Sequence, residues 1–269
     1  MTIEKQDIVN GIWHIKCGSW NDYINFINTE LLDYPGYIYR GQKSYDWDVT
    51  SSLDRLIKRY GKHYDMLRHV GHFQDATRGK RGVGPPKFEN ENDWFALGRH
   101  YGLATPLTDW TCSPFVALFF AFIEEEEEED RAIYVFHAAR ALIISKKEFE
   151  EDEDKDKDRR KFLDIFSSSA DENIRLVSQS GVFLRLPEGE SLESWVTDRF
   201  QGKSEYILIK VKIPNKDRIN CLKLLNKMNI NHLTLFPDLK GAALYCNEAM
   251  KIKSYISGGF IRNTNGELE

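Results

Sequence analysis

Residues 100–122, HYGLATPLTDWTCSPFVALFFAF, place an Asp, a Trp and three hydroxyl or thiol side chains directly before a nearly unbroken apolar run. Ser113-Pro114 has the form of a helix start. It combines a hydroxyl at the N-cap with a proline at the first helical position, where the missing N–H costs nothing. Beyond it the apolar side chains of positions 115–123 surround the helix instead of striping it, which predicts a helix whose first half is buried inside the domain. The glutamates at 124–129 then close it and emerge into water. A helix buried all round must be enclosed by other elements, and the flanking sequence supplies strands as well as helices.

Upstream, Ser19 with Asp22 is a variant capping pair. Trp20, Tyr23, Ile24, Ile27 and Leu31 follow at helical spacing, so a first helix is expected to end near Leu32. After Pro35-Gly36, YIYR (37–40) reads as a short strand ending at Gly41, with Arg40 at the strand end. Positions 52–73 are mostly helical and polar, and ATRGKRGVGPPK (76–87) has the composition of a mobile loop. A third helix begins at Asp93 and stops at Gly102, which puts His100 and Tyr101 on its last turn.

Downstream, RAIYVF (131–136) reads as a strand, and YILIKVKI (206–213) alternates Ile207, Ile209, Val211 and Ile213 on one face. Asn215 is placed to cap a helix carrying Ile219, Leu222, Leu225 and Met228. HLTLF (232–236) looks like another strand, and Asp238 caps a final helix. EFEEDEDKDKDRRK (148–161) is low in complexity and reads as a solvated insertion. The expected fold class is α+β, a single domain with a mixed or mainly antiparallel central sheet flanked by helices.

Composition bounds the function. With 269 residues, 41% hydrophobic and 13% aromatic, the chain has enough apolar surface for a sizeable core. A net charge of −5 gives no general attraction to nucleic acid or an anionic membrane. Four scattered cysteines with no CxxC pair argue against a zinc ribbon or a disulfide framework and fit a reducing cytoplasm. No apolar run is long enough to span a bilayer, and the N-terminus lacks a secretory core, so a cytoplasmic protein without a membrane partner is expected.

Three places invite chemistry. The N-terminus of the buried helix presents N–H groups and partial positive charge to an anion, with Asp109, Trp110, Thr111, Cys112 and Ser113 beside it. In the structural alternative Thr111 or Ser113 caps the helix, Asp109 braces the turn and Trp110 fills core. His63, His69 and His72 share a helical stretch, but no carboxylate or thiol cluster completes a metal set, so no metal is predicted. Arg78, Lys80, Arg81 and Lys87 form a basic loop suited to phosphate backbones; without Gly-Lys-Ser/Thr it is no P-loop.

Four ordered motifs carry a family resemblance. YRGQ (39–42), Trp47 and SSLDR (51–55) come first, then the quoted stretch, with His100, Gly102, Thr105, Leu107, Asp109, Trp110, Thr111, Pro114, Ala117 and Ala121. Next come RLVSQSGVFLR (175–185), with Arg175, Gln179, Gly181 and Phe183, and LTLFPDLKGAA (233–243). Together they resemble the FRG domain family of bacteria and phages, with departures at Arg99, Ala104 and Pro106, where the family commonly has Gln, Pro and Arg. The resemblance implies an FRG domain over 35–250 with a charged insertion near 146–161. Residues 1–34 would then be an N-terminal strand and helix extension, and 251–269 a tail.

The layout of a strand-end Arg, a Thr/Ser-rich strand-to-helix turn and a later Gln or Glu is also similar to that of ADP-ribosyltransferases. That similarity implies NAD as the substrate of a transferase or glycohydrolase, with Arg40, Asp109, Thr111 and Gln179 as catalytic residues. Arg40, Gln42, His100, Tyr101, Thr111 and Ser113 would contact NAD. The stronger transferases carry Glu where this chain has Gln179; Glu188 and Glu190 stand nearby but match no motif. The family's distribution implies a role in bacterial or phage conflict, with a protein target or a phage or host trigger as partner. Each residue has a plainer alternative: Arg40 pairs with Asp109, His100 donates to a carbonyl, and Gln179 satisfies strand-edge groups. A ligand- or partner-sensing module without turnover is the competing reading, and a nucleic-acid binder ranks third because the chain is acidic.

Overall fold

The computed structural model describes residues 2–85, 87–88, 90–125, 130–154, 158–167 and 174–256. Its strands are β1 (Ile3–Val9), β2 (Ile12–Cys17), β3 (Tyr37–Gln42), β4 (Leu107–Thr111), β5 (Asp130–His137), β6 (Asp164–Phe166), β7 (Gly181–Arg185) and β8 (Leu208–Pro214). They form one eight-stranded sheet in the order β1-β2-β8-β5-β3-β4-β7-β6. Neighbours run antiparallel except β2 with β8. The helices are α1 (Trp20–Phe26), α2 (Ser52–Tyr60), α3 (Met66–Ala76), α4 (Glu91–His100), α5 (Pro114–Phe122), α6 (Ala138–Glu151), α7 (Ile174–Ser178), α8 (Leu192–Phe200), α9 (Arg218–Lys227), α10 (His232–Leu235) and α11 (Leu239–Lys251). The fold is α+β, a mixed and mainly antiparallel sheet with helices on its faces.

The central strand explains why the layers assemble. Ile133 and Val135 of β5, with Ile209, Val211 and Ile213 of β8, pack under α1, α5 and α9. Ala132, Tyr134 and Phe136 point the other way, against Ala141 of α6 and Trp195 and Val196 of α8. Burial on both faces turns the expected alternation into a continuous apolar run. A third cluster sets Val70 of α3 and Phe95 and Ala96 of α4 against Leu107 and Phe183, which lays α4 over β4 and β7.

The decisive helix is as its sequence reads. Ser113 Oγ accepts from the Val116 N–H at 3.3 Å, Pro114 opens the helix, and most of its side chains are buried. Arg218 closes the other end by donating to the carbonyls of Phe122 and Ile123 at 2.7 and 2.8 Å, satisfying two acceptors a helix end leaves open. The helix lies so close to β3 that a Cβ on Gly41 would sit 1.9 Å from the Ala117 carbonyl oxygen. Glutamates 126–129 lie outside the described residues.

Several expectations are corrected. HLTLF forms the short helix α10, not a strand, because Asn231 and Thr234 close a reciprocal capping box at its start and outweigh the β propensity of the segment. The helix after β8 starts at Arg218 behind a short turn over 215–217, so Asn215 does not cap it. Positions 52–73 are split between α2 and α3, with Gly61 at φ 82° ending the first. The first part of the charged insertion, through Glu151, is helical, since it continues α6; residues 155–157 lie outside the described residues. β3 runs to Gln42, so Arg40 stands two positions inside the strand. β1 and β2 join through Asn10-Gly11, both at positive φ, and that Asn-Gly pair between two β-rich runs is the signal that marks them. β6 and β7 were not among the expected strands.

Candidate functional site

β3 and β4 share a single paired position, Tyr39 with Thr111. Beyond it they part, and an open cleft of about 1690 Å³ occupies the gap and the space outside it. Its walls come from β3 and the segment after it, α2, α4, β4, and the approach to β7.

Arginines form the floor. Arg40 donates from Nη1 to the main-chain carbonyl of Asp109 at 2.6 Å, while its Nε is buried and makes no hydrogen bond among the described residues. Arg99, on the last turn of α4, grips both carboxylate oxygens of Asp109: Nε meets Oδ1 at 2.6 Å and Nη2 meets Oδ2. Its Nη1 also donates to Ser52 Oγ at 3.3 Å. Arg55, on α2, donates to the Thr50 carbonyl at 2.6 Å.

The charges are set by this crowding. Burial draws Arg40 down to about 10, opposed by Asp109 and reinforced by Arg99 and Arg55. For Asp109 burial pushes the carboxyl up, but the charge and hydrogen bonds of Arg99, with Arg40 behind them, outweigh it and hold it below the usual carboxylate range. The Asp109 side chain is nonetheless 54% exposed, because the floor it stands on opens to the cleft. Burial and the neighbouring Arg175 lower His100.

The expected site residues divide. Arg40, Gln42, His100, Asp109, Thr111 and Gln179 all line the cleft. Tyr101 is 74% exposed and, like Ser113, lies outside the lining. The N-terminus of α5 does not open into the cleft either, which touches that helix at Phe120 and the chain just past its end at Ile123. The N–H groups of Ser113 and Val116 are taken by the Thr111 and Ser113 hydroxyls, so capping has used two of the donors an anion would need.

Within the cleft several polar groups serve as braces. Thr111 donates to the Gln179 carbonyl at 2.6 Å, and Gln179 Nε2 donates to the Leu235 carbonyl at 2.9 Å, linking β4, the head of β7 and α10. Gln42 Nε2 holds the Trp47 carbonyl at 2.9 Å. Asp109 answers Arg99 through its side chain, not Arg40 or His100. Glu188 lines the cleft but pairs with Lys62, while Glu190 pairs with Arg199 outside it. Arg99 and Arg55 were visible only as motif positions, and Arg99 as a departure. Their signal was the sign of their charge, which means little until α2 and α4 are known to converge.

The other candidates are occupied elsewhere. Tyr64 packs its ring on His69 and His72, and His69 Nε2 contacts the Ala104 carbonyl at 2.9 Å. Among the described residues no group of His, Cys, Asp or Glu is arranged to hold a metal ion. Arg81 stacks over Phe88 and Trp94 at 4.1 and 5.0 Å, and Arg78 pairs with Asp75.

These features define an α+β protein whose sheet opens at one strand junction into a cleft floored by arginines. Residues 35–130 match the family model of the FRG domain. The matched segment contains Arg40, Arg55, Arg99, Asp109 and Thr111, while Arg175 and Gln179 lie beyond it. No curated protein and no solved structure matches the chain. Among the described residues no helix is long and apolar enough to cross a membrane.

Proposed function

We propose that the cleft binds NAD and breaks its nicotinamide–ribose bond, as an ADP-ribosyltransferase or NAD glycohydrolase. The observation that carries this reading is the convergence of Arg40, Thr111 and Gln179 on one gap. β3, β4 and β7 are consecutive in the sheet although far apart in sequence, so three separated motif positions meet beside the arginine floor. An arginine in the cleft lining is suited to a phosphate oxygen, which it holds through charge-assisted bonds. The cleft exceeds the usual range for drug-sized ligands, leaving room for a dinucleotide.

In hydrolysis the bond from ribose C1′ to the nicotinamide nitrogen breaks and nicotinamide leaves with the electron pair. A water oxygen then bonds to C1′ and releases one proton; in transfer, a nucleophile on a protein target replaces the water. The cationic ribose needs a polar acceptor nearby, and on this reading Gln179 supplies it with its side-chain amide oxygen, Oε1. Consumption of NAD, or modification of a target, would account for a role in conflict between bacteria and phages.

The test is nicotinamide release from NAD by the purified chain. Wild type is expected to release it, and Arg40→Ala and Gln179→Ala to release it at least tenfold more slowly while melting as cooperatively as wild type. No release by wild type and no labelled protein after incubation with labelled NAD and cell extract would sink the proposal. The second reading, a nucleotide-sensing module without turnover, is favoured by the bracing bonds of Thr111 and Gln179, which commit both groups to the scaffold. It predicts that NAD raises the melting temperature and is recovered intact.

A further inference from the structure

We infer that Trp47 is the platform on which a planar ring of the cleft's ligand stacks, the ligand being a free nucleotide or dinucleotide whose phosphates meet the arginines. The inference rests on the nucleotide-binding half of the reading above and is independent of cleavage. Trp47 lines the cleft and is 47% exposed, whereas Tyr39, Trp110 and Phe183 in the same lining are buried in the core. An indole half in water on the wall of a cleft keeps a large apolar face open to a ligand, and covering that face would stabilise a complex.

The residue is also held still. Its carbonyl accepts from Gln42 Nε2 at 2.9 Å and from the Tyr134 hydroxyl. On either side, the Lys43 carbonyl accepts from Arg131 at 2.9 Å, Tyr45 N–H donates to the Asp130 carbonyl at 3.0 Å, and the Val49 carbonyl accepts from Leu192 N–H at 3.0 Å. A segment whose main chain is tied to the scaffold at four points leaves only the side-chain torsions of Trp47 to be ordered, which lowers the cost of using it as an aromatic anchor. Lys43 Nζ lies 5.2 Å from the ring centre and is itself paired with Glu124 at 2.7 Å.

Position links the ring to the anion floor. Tyr134, whose hydroxyl reaches the Trp47 carbonyl, stands directly opposite Arg40 in the β3–β5 ladder. The indole and the guanidinium are therefore carried by neighbouring parts of one rigid frame. A stacking surface in the same cleft as a cluster of arginines recognises a planar ring joined to phosphate. The cleft lining sets the carboxylates of Asp48, Asp54, Asp109, Glu124 and Glu188 against seven Arg and Lys side chains, and the chain is acidic overall; so modest a positive excess favours a ligand of few phosphates over a nucleic-acid strand.

Titration calorimetry with ADP, NAD and ribose 5-phosphate, on wild type, Trp47→Ala and Trp47→Phe, tests the assignment. Trp47→Ala is expected to weaken ADP and NAD about tenfold or more, the range of a lost base–aromatic stack, and to leave ribose 5-phosphate unchanged. Trp47→Phe is expected to keep most of the affinity, and melting curves verify that each variant is folded. The inference is overturned if ADP binds Trp47→Ala as it binds wild type, if ribose 5-phosphate is weakened equally, or if neither ADP nor NAD binds wild type at millimolar concentration. Tighter binding of a single-stranded oligonucleotide than of ADP, lost in Trp47→Ala, overturns the free-nucleotide assignment. Trp47-dependent binding of intact NAD upholds the inference while removing the cleavage reading.

Discussion

Gly41→Ala is expected to destabilise the fold by about 3 kcal/mol or more, at the upper end for overpacking. The added Cβ would lie 1.9 Å from the Ala117 carbonyl oxygen and 2.6 Å from the Ala121 nitrogen. Both are main-chain atoms of α5, so no side chain can rotate away; the helix must lift from β3, and most of the α5 surface is buried in the core. At about 2–4 °C per kcal/mol for a domain of this size, thermal unfolding should shift down by roughly 6–12 °C. Gly71→Ala is the control. That glycine lies within α3 with nothing near its Cβ position, and alanine there should stabilise by about 0.5–1 kcal/mol. Equal melting temperatures for Gly41→Ala and wild type would contradict the close approach of strand and helix.

Asp109→Asn is expected to cost about 2 kcal/mol. Removing one partner of a fully buried pair costs about 3–5 kcal/mol, and the value is reduced here because the carboxylate is 54% exposed and water screens it. The loss should depend on pH in a defined direction. A carboxyl held below its ordinary value contributes its full stability above the unfolded pKa of about 3.9 and loses it as pH falls through the folded value. Denaturant unfolding should therefore show a constant gap between wild type and Asp109→Asn near neutrality, closing in acid. In Arg99→Gln the same substitution should cost much less, because the cation it would strand is gone. Additive costs would show that the two side chains do not act as a pair.

Most of the local structure was legible because its causes are local. Ser113-Pro114, Ser19 with Asp22, and Asp238 each cap the helix they precede, and continuous apolar runs marked α5 and β5. HLTLF was misleading because its periodicity suits a strand, while a side-chain exchange between Asn231 and Thr234 decides for a helix. The site was legible as a set of positions but not as an arrangement. Arg40, Asp109, Thr111 and Gln179 stood out through motifs, yet which carboxylate meets which cation depends on how α4 crosses β4. That crossing is fixed by Phe95, Ala96, Leu107 and Phe183, residues whose contacts no local pattern reveals. The mouth of α5 is hidden from the sequence for a related reason: local pattern leaves its N–H groups open, whereas the Thr111 hydroxyl turns back to take the Ser113 N–H.

The single ladder pair between β3 and β4 has a mechanical consequence. The sheet is two blocks, β1-β2-β8-β5-β3 and β4-β7-β6, joined along a seam where main-chain bonding has nearly stopped. Arg40 reaches across that seam to the Asp109 carbonyl, so a side chain carries a link that elsewhere the backbone makes. A ligand seated against both Arg40 and Thr111 would rivet the blocks together. At a hundred times its dissociation constant it should add about 2.7 kcal/mol of resistance to unfolding, with slowed amide hydrogen exchange concentrated in the strands on either side of the seam.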